Sequence, residues 1–182
     1  MKKIIISILL TITSISALAI PYQINILIFE HLLSKNITLA HAYNKPNFNI
    51  TVPKNSIDLS AVPTTGITSQ LTDITNKISQ HPDYKIILNK AWQQEIVDDS
   101  STTYNFQINN KELSRFISLN KYNYINFKTN LVLHTKYGDF TIKQSRRLKE
   151  NELNYIDNPL CGILIQINQA PTNHTQLPNP GV

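Results

Sequence analysis

Between Tyr84 and Ile165, apolar side chains recur at every second position in short runs separated by polar turns. A period of two puts alternate side chains on opposite faces of a strand, so this pattern commits most of the chain to sheet. Tyr104, Phe106 and Ile108 form one run. Leu113, Ile117 and Leu119 form a second, with Phe116 on the other side, and Ile125, Phe127, Leu131 and Leu133 form a third. Lys136-Tyr137-Gly138-Asp139 closes a hairpin, with Gly138 in the left-handed position, before Phe140, Ile142 and Leu148. Asp98 to Thr103 and Asn120 to Asn123 are further turns. Strands joined this closely pair antiparallel. Tyr84, Ile86, Leu88 and Trp92 share one parity, which predicts a strand buried at its start and ending at a rim.

The first half of the chain adds one strand and one helix. Tyr22, Ile24, Ile26 and Ile28 alternate with Gln23, Asn25, Leu27 and Phe29, giving a fully buried face and a half-covered one. Ile67, Leu71, Ile74 and Ile78 fall on one helical face, and Pro82 stops that helix. Residues 34–66 contain Pro46, Pro53 and Pro63 and follow no period, so they read as a long surface loop with a short strand at Phe48 to Val52. The resulting class is α+β: a mostly antiparallel sheet of about six or seven strands with one main helix packed on it. A single domain is expected at 20–169, and a flexible tail at 170–182 carrying Pro171, Pro178 and Pro180.

Residues 1–19 read as a signal peptide. Met1-Lys2-Lys3 is a basic start, Ile4 to Ser16 is apolar, and Ala17-Leu18-Ala19 fits a small-x-small cleavage site. The apolar run is shorter than the roughly 20 residues of a membrane span. The reading is therefore export to the periplasm with no membrane span after cleavage. Net charge is +5, of which Lys2 and Lys3 supply two, leaving +3 on the remainder. That charge is scattered, and no basic run supports nucleic-acid binding. With one cysteine, Cys161, no internal disulfide forms.

Chemistry-bearing residues concentrate in Ser145 to Ile165. Arg146 and Arg147 are adjacent, so on a continuous strand they point to opposite faces. One can pair with Glu152 or Asp157 while the other faces solvent. Arginine suits bidentate carboxylate recognition. Tyr155 and Asp157 share a face, and Asp157-Asn158-Pro159 reads as a turn. Trp92, the single tryptophan, can stack on a sugar ring or fill a core gap. The five histidines show no metal-ligand spacing, and Cys161 lies in an apolar strand without an evident base. No catalytic residue, metal site or cofactor is indicated.

Four blocks carry a resemblance. They are Tyr22-Gln23-Ile24-Asn25-Ile26-Leu27-Ile28-Phe29-Glu30, Tyr84 to Gln94 with Lys90-Ala91-Trp92 inside it, Tyr124-Ile125-Asn126-Phe127, and Ser145-Arg146-Arg147 through Gly162. In these the chain resembles the CsiV family of bacterial periplasmic peptidoglycan-binding proteins. The resemblance implies a non-catalytic wall-associated protein that supports cell shape by promoting a bifunctional peptidoglycan synthase and its outer-membrane lipoprotein activator. Peptidoglycan carries carboxylates on its stem peptides and lactyl groups, which makes Arg146 and Arg147, with Trp92 and Tyr155, the candidate ligand-binding residues. The alternative is a protein-interaction factor that docks on the synthase or its activator without touching glycan. A wall hydrolase is a minor third reading. Where the family tends to carry histidine, this chain has Asn89, Asn126, Asn154 and Asn158. Asparagine keeps a neutral hydrogen bond but neither titrates nor binds zinc as imidazole does.

Overall fold

The computed structural model describes residues 20–32, 51–64 and 69–170. The expected signal peptide, residues 33–50 of the long loop and its neighbourhood, and the tail beyond Ala170 lie outside the described residues. In chain order the elements are β1 (Ile20–His31), β2 (Ile57–Asp58), α1 (Ser69–Gln80), β3 (Tyr84–Ile96), β4 (Tyr104–Asn109), β5 (Leu113–Tyr122), β6 (Tyr124–Thr135), β7 (Gly138–Leu148), β8 (Leu153–Asn158) and β9 (Cys161–Gln169).

The strands build two sheets rather than one. The four-stranded sheet has the order β3-β1-β9-β8 and the five-stranded sheet the order β2-β4-β5-β6-β7. All pairs are antiparallel except β2 with β4. The nine strands exceed the six or seven expected from periodicity. β8 occupies residues read as part of a turn. β2 lies in the proline-rich loop at Ile57–Asp58, and Leu59 beside it is buried; the strand expected at Phe48 to Val52 falls mostly outside the described residues.

The sheets pack face to face. Tyr22, Ile24, Ile26 and Ile28 of β1 and Cys161, Ile163, Ile165 and Ile167 of β9 meet the inward faces of β4 to β7 in one core. Burying an aliphatic or aromatic side chain of this kind stabilises a fold by about 1.5–3 kcal/mol. The second set on β1 turns outward, and its Leu27 and Phe29, with Leu164, receive Leu71, Ile74 and Ile78 of α1. The helix therefore covers the outer face of the four-stranded sheet. Its last residue, Gln80, stands two residues before Pro82.

The single parity expected for Tyr84, Ile86, Leu88 and Trp92 is broken. β3 carries a bulge opposite Ile28/Phe29. Tyr84 and Ile86 pack on the helix side, while Ile87, Leu88 and Trp92 turn to the inter-sheet core. One extra residue reverses the facing of everything beyond it. Opposite this bend, Gly162 faces the Phe29 ring, where a Cβ would overlap the ring carbons.

Candidate functional site

The stretch from Ser145 to Ile165 crosses between the sheets. β7 is an edge of the five-stranded sheet, β8 is an edge of the four-stranded one, and residues 149–152 join them. The two edges meet along a groove of about 300 Å³ lined by Arg146, Arg147, Lys149, Leu153, Asn154 and Tyr155, among others. The groove thus brings together three of the four residues expected to bind ligand. Trp92 is not among them. It is fully buried, its ring meeting Phe106 at 5.0 Å in an edge-on arrangement. Of its two readings, core packing is the one this fold allows.

The arginines divide between faces, as adjacent strand residues must. Arg146 is the cross-strand partner of inward-facing Phe127, and Arg147 that of Asn126. Both side chains are exposed, and among the described residues β7 has no strand paired on its outer side. Their surroundings differ. The Arg147 guanidinium lies 4.0 Å from the centre of the Tyr124 ring, a cation–π contact that holds it against the sheet. The Arg146 side chain has no hydrogen bond, ion pair or ring contact among the described residues. The expected pairing of an arginine with Glu152 or Asp157 does not form. Glu152 instead meets Lys149 at 3.3 Å, and Asp157 accepts a hydrogen bond from the Tyr155 hydroxyl at 2.9 Å. A shorter reach along the turn and along β8 satisfies both carboxylates locally.

Tyr155 is 55% exposed as a residue, but its hydroxyl end is sheltered over Asp157. Burial of that end first, and then the bond to the carboxylate, push the hydroxyl up to about 12. The phenol therefore stays neutral at physiological pH.

Asparagines build the turn that shapes this groove. Asn154 Oδ1 accepts from the Lys149 backbone N–H at 3.0 Å, and its Nδ2 donates to the carbonyls of Lys149 and Glu152, each at 3.0 Å. Asn158 Oδ1 accepts from the N–H of Leu160 at 3.1 Å across the next turn. Asn151 takes φ 61°, the left-handed conformation that asparagine tolerates. A side-chain amide both donates and accepts, and Asn154 uses both capacities.

The chain matches no family model, no curated protein and no solved structure.

Glu150, at the inner end of the same turn, anchors it to both sheets. Its carboxylate lies 2.7 Å from Lys121 Nζ on β5 and accepts from the Tyr22 hydroxyl on β1 at 3.2 Å. Burial alone would lower the Lys121 ammonium. The Glu150 hydrogen bond and the nearby charges of Tyr22, Glu150 and Asp98 outweigh that and raise it above its ordinary value. Lys149 and Leu153 were not singled out from sequence, and Asn154 only as a position where the resembling family tends to carry histidine. Their place in the groove depends on where β8 runs, and the Asn-rich turn concealed that strand.

Proposed function

We propose that this chain is an exported, cell-wall-associated protein of the CsiV type, and that the groove between β7 and β8 takes a carboxylate-bearing portion of peptidoglycan. One observation carries this reading: Arg146 is an exposed guanidinium with no side-chain partner among the described residues, in a groove that Tyr155 also lines. A guanidinium fork accepts a carboxylate through two parallel hydrogen bonds, and an aromatic face packs on a sugar ring. Support for peptidoglycan synthesis and cell shape follows from the family resemblance. The test is co-sedimentation of the mature chain with purified, protein-free sacculi at low salt. Retention in the pellet is expected, and recovery in the supernatant would exclude direct binding.

The open outer edges of β7 and β8 favour a second reading. An edge strand offers unpaired backbone groups to an extended segment of another protein. On this reading the partner is a peptidoglycan synthase or its outer-membrane lipoprotein activator, and wall association is indirect. Crosslinking in cells with and without the synthase complex separates the two, because indirect association disappears when that complex is absent.

A further inference from the structure

Three side chains of the five-stranded sheet form a relay that the groove does not use. Ser114 Oγ lies 2.8 Å from His134 Nε2, and His134 Nδ1 lies 2.8 Å from Asp139 Oδ1. The strand register sets this up. His134 and Asp139 are direct cross-strand partners on β6 and β7, beside the Lys136-Tyr137 turn, and Ser114 on β5 pairs with Val132, two residues away from His134. An ionised carboxylate only accepts, so Asp139 accepts a hydrogen bond from Nδ1–H and leaves Nε2 to accept one from the Ser114 hydroxyl. This is the order of nucleophile, base and orienting carboxylate used in acyl transfer, a constellation recognised by geometry and not by position in a sequence.

The base and the carboxylate of the relay reach solvent, and Ser114 is half-buried beside them. The His134 and Asp139 side chains are 35% and 39% exposed. His134 also lines a cleft of about 590 Å³ together with His31, Lys85, Lys111, Lys136 and Tyr137. Directly after the serine, Arg115 holds φ 86°, a conformation rare for a residue with a side chain and concentrated at functional positions.

We propose that Ser114 is a nucleophile that accepts acyl groups from carboxylic esters, with His134 as its base and Asp139 as the residue that orients His134. In the first half-reaction Ser114 Oγ bonds to the ester carbonyl carbon while its proton passes to His134 Nε2. The carbon–oxygen bond to the alcohol then breaks, and the alcohol leaves with that proton. Water, deprotonated by the same nitrogen, releases the acid and restores the serine. β5 is paired on both sides, so its backbone N–H groups serve the ladders rather than an oxyanion. Loss of one oxyanion donor costs an enzyme roughly 100- to 1,000-fold in rate, so both half-reactions here are slow.

The test is labelling of the full chain with a fluorophosphonate, which phosphonylates an activated serine with release of fluoride, followed by peptide mass spectrometry. An adduct on Ser114 is expected. Labelling should slow by at least about tenfold in His134→Gln. In Asp139→Asn it should slow and shift in its pH profile, a change that a merely structural carboxylate would not produce. Thermal unfolding checks that each variant is folded. Ser114→Cys gives an independent reading, because its alkylation by iodoacetamide should depend on His134 while native Cys161 is buried. An unlabelled Ser114 in the folded protein would overturn the proposal, as would labelling and alkylation rates that ignore His134.

Discussion

Lys121 Nζ, on the five-stranded sheet, lies 2.7 Å from Glu150 Oε1, in the turn that carries the chain to the four-stranded sheet. Tyr22 closes the cluster from β1 through its hydroxyl and through a ring 5.9 Å from the ammonium. The three groups fix the join from which Arg146, Arg147 and Tyr155 project.

Removing one partner of a mostly buried pair costs more than the pair contributes, because the survivor stays desolvated. Lys121 has 10% side-chain exposure and, when Glu150 is lost, keeps the longer contact to Asp98, at 3.6 Å, and the Tyr22 ring. Glu150→Ala should therefore destabilise the fold by about 1–3 kcal/mol. Lys121→Met should cost less, since Glu150 retains the Tyr22 hydroxyl and more access to solvent. Urea unfolding of the two variants checks the order. The Lys121 contribution is intact below its ordinary value of 10.5 and declines as pH rises through its raised value.

Glu30 should make stability fall with rising pH. Burial first, and Glu112 further, raise its carboxyl above the ordinary 4.5, with Lys85 opposing. The folded state then holds the proton more tightly than the unfolded chain. The stability linked to that proton is fully present below 4.5 and is lost as pH rises through the folded value. Glu30→Gln removes this loss. It should be more stable than the natural chain at about pH 7 and lose that advantage near about pH 4, as thermal unfolding at both conditions will show.

Phe29 and Gly162 should behave as a coupled pair. A methyl at Gly162 has to displace the Phe29 ring, which also meets Tyr84 edge-on at 5.3 Å. Gly162→Ala should cost about 1–3 kcal/mol, and much less in a Phe29→Leu background. The next residue supplies a reactivity test of the same region. Burial pushes the Cys161 thiol up to about 12, with Asp157 and Glu30 adding to it. A thiol reagent at neutral pH should modify Cys161 only after denaturant is added.

Much of this architecture was legible in the alternation of apolar residues. Ile125, Phe127, Leu131 and Leu133 were read as one buried face and are one. So was the helical stripe at Leu71, Ile74 and Ile78. What alternation could not reveal is how many sheets the strands form, because each strand buries one face in either arrangement. Nor could it reveal the bulge at Ile87, where a single extra residue shifts parity without changing composition. In the groove, the opposite facing of Arg146 and Arg147 follows from adjacency. That Arg147 has a ring partner depends on Tyr124, whose place beside it is set by the β6–β7 register. The relay at His134 was half legible. The two-residue hairpin turn fixes His134 opposite Asp139, whereas Ser114 enters only through the pairing of β5 with β6.

The most direct test compares Arg146→Ala with Arg147→Ala in sacculus co-sedimentation, each variant first checked for stability. With its guanidinium free, Arg146→Ala should leave unfolding within about 0.5 kcal/mol of the natural chain and weaken sacculus binding about tenfold or more. Arg147→Ala, which loses the Tyr124 contact, should lower stability by about 0.5–1 kcal/mol and retain most of the binding. Full sacculus binding by a folded Arg146→Ala variant would contradict the account.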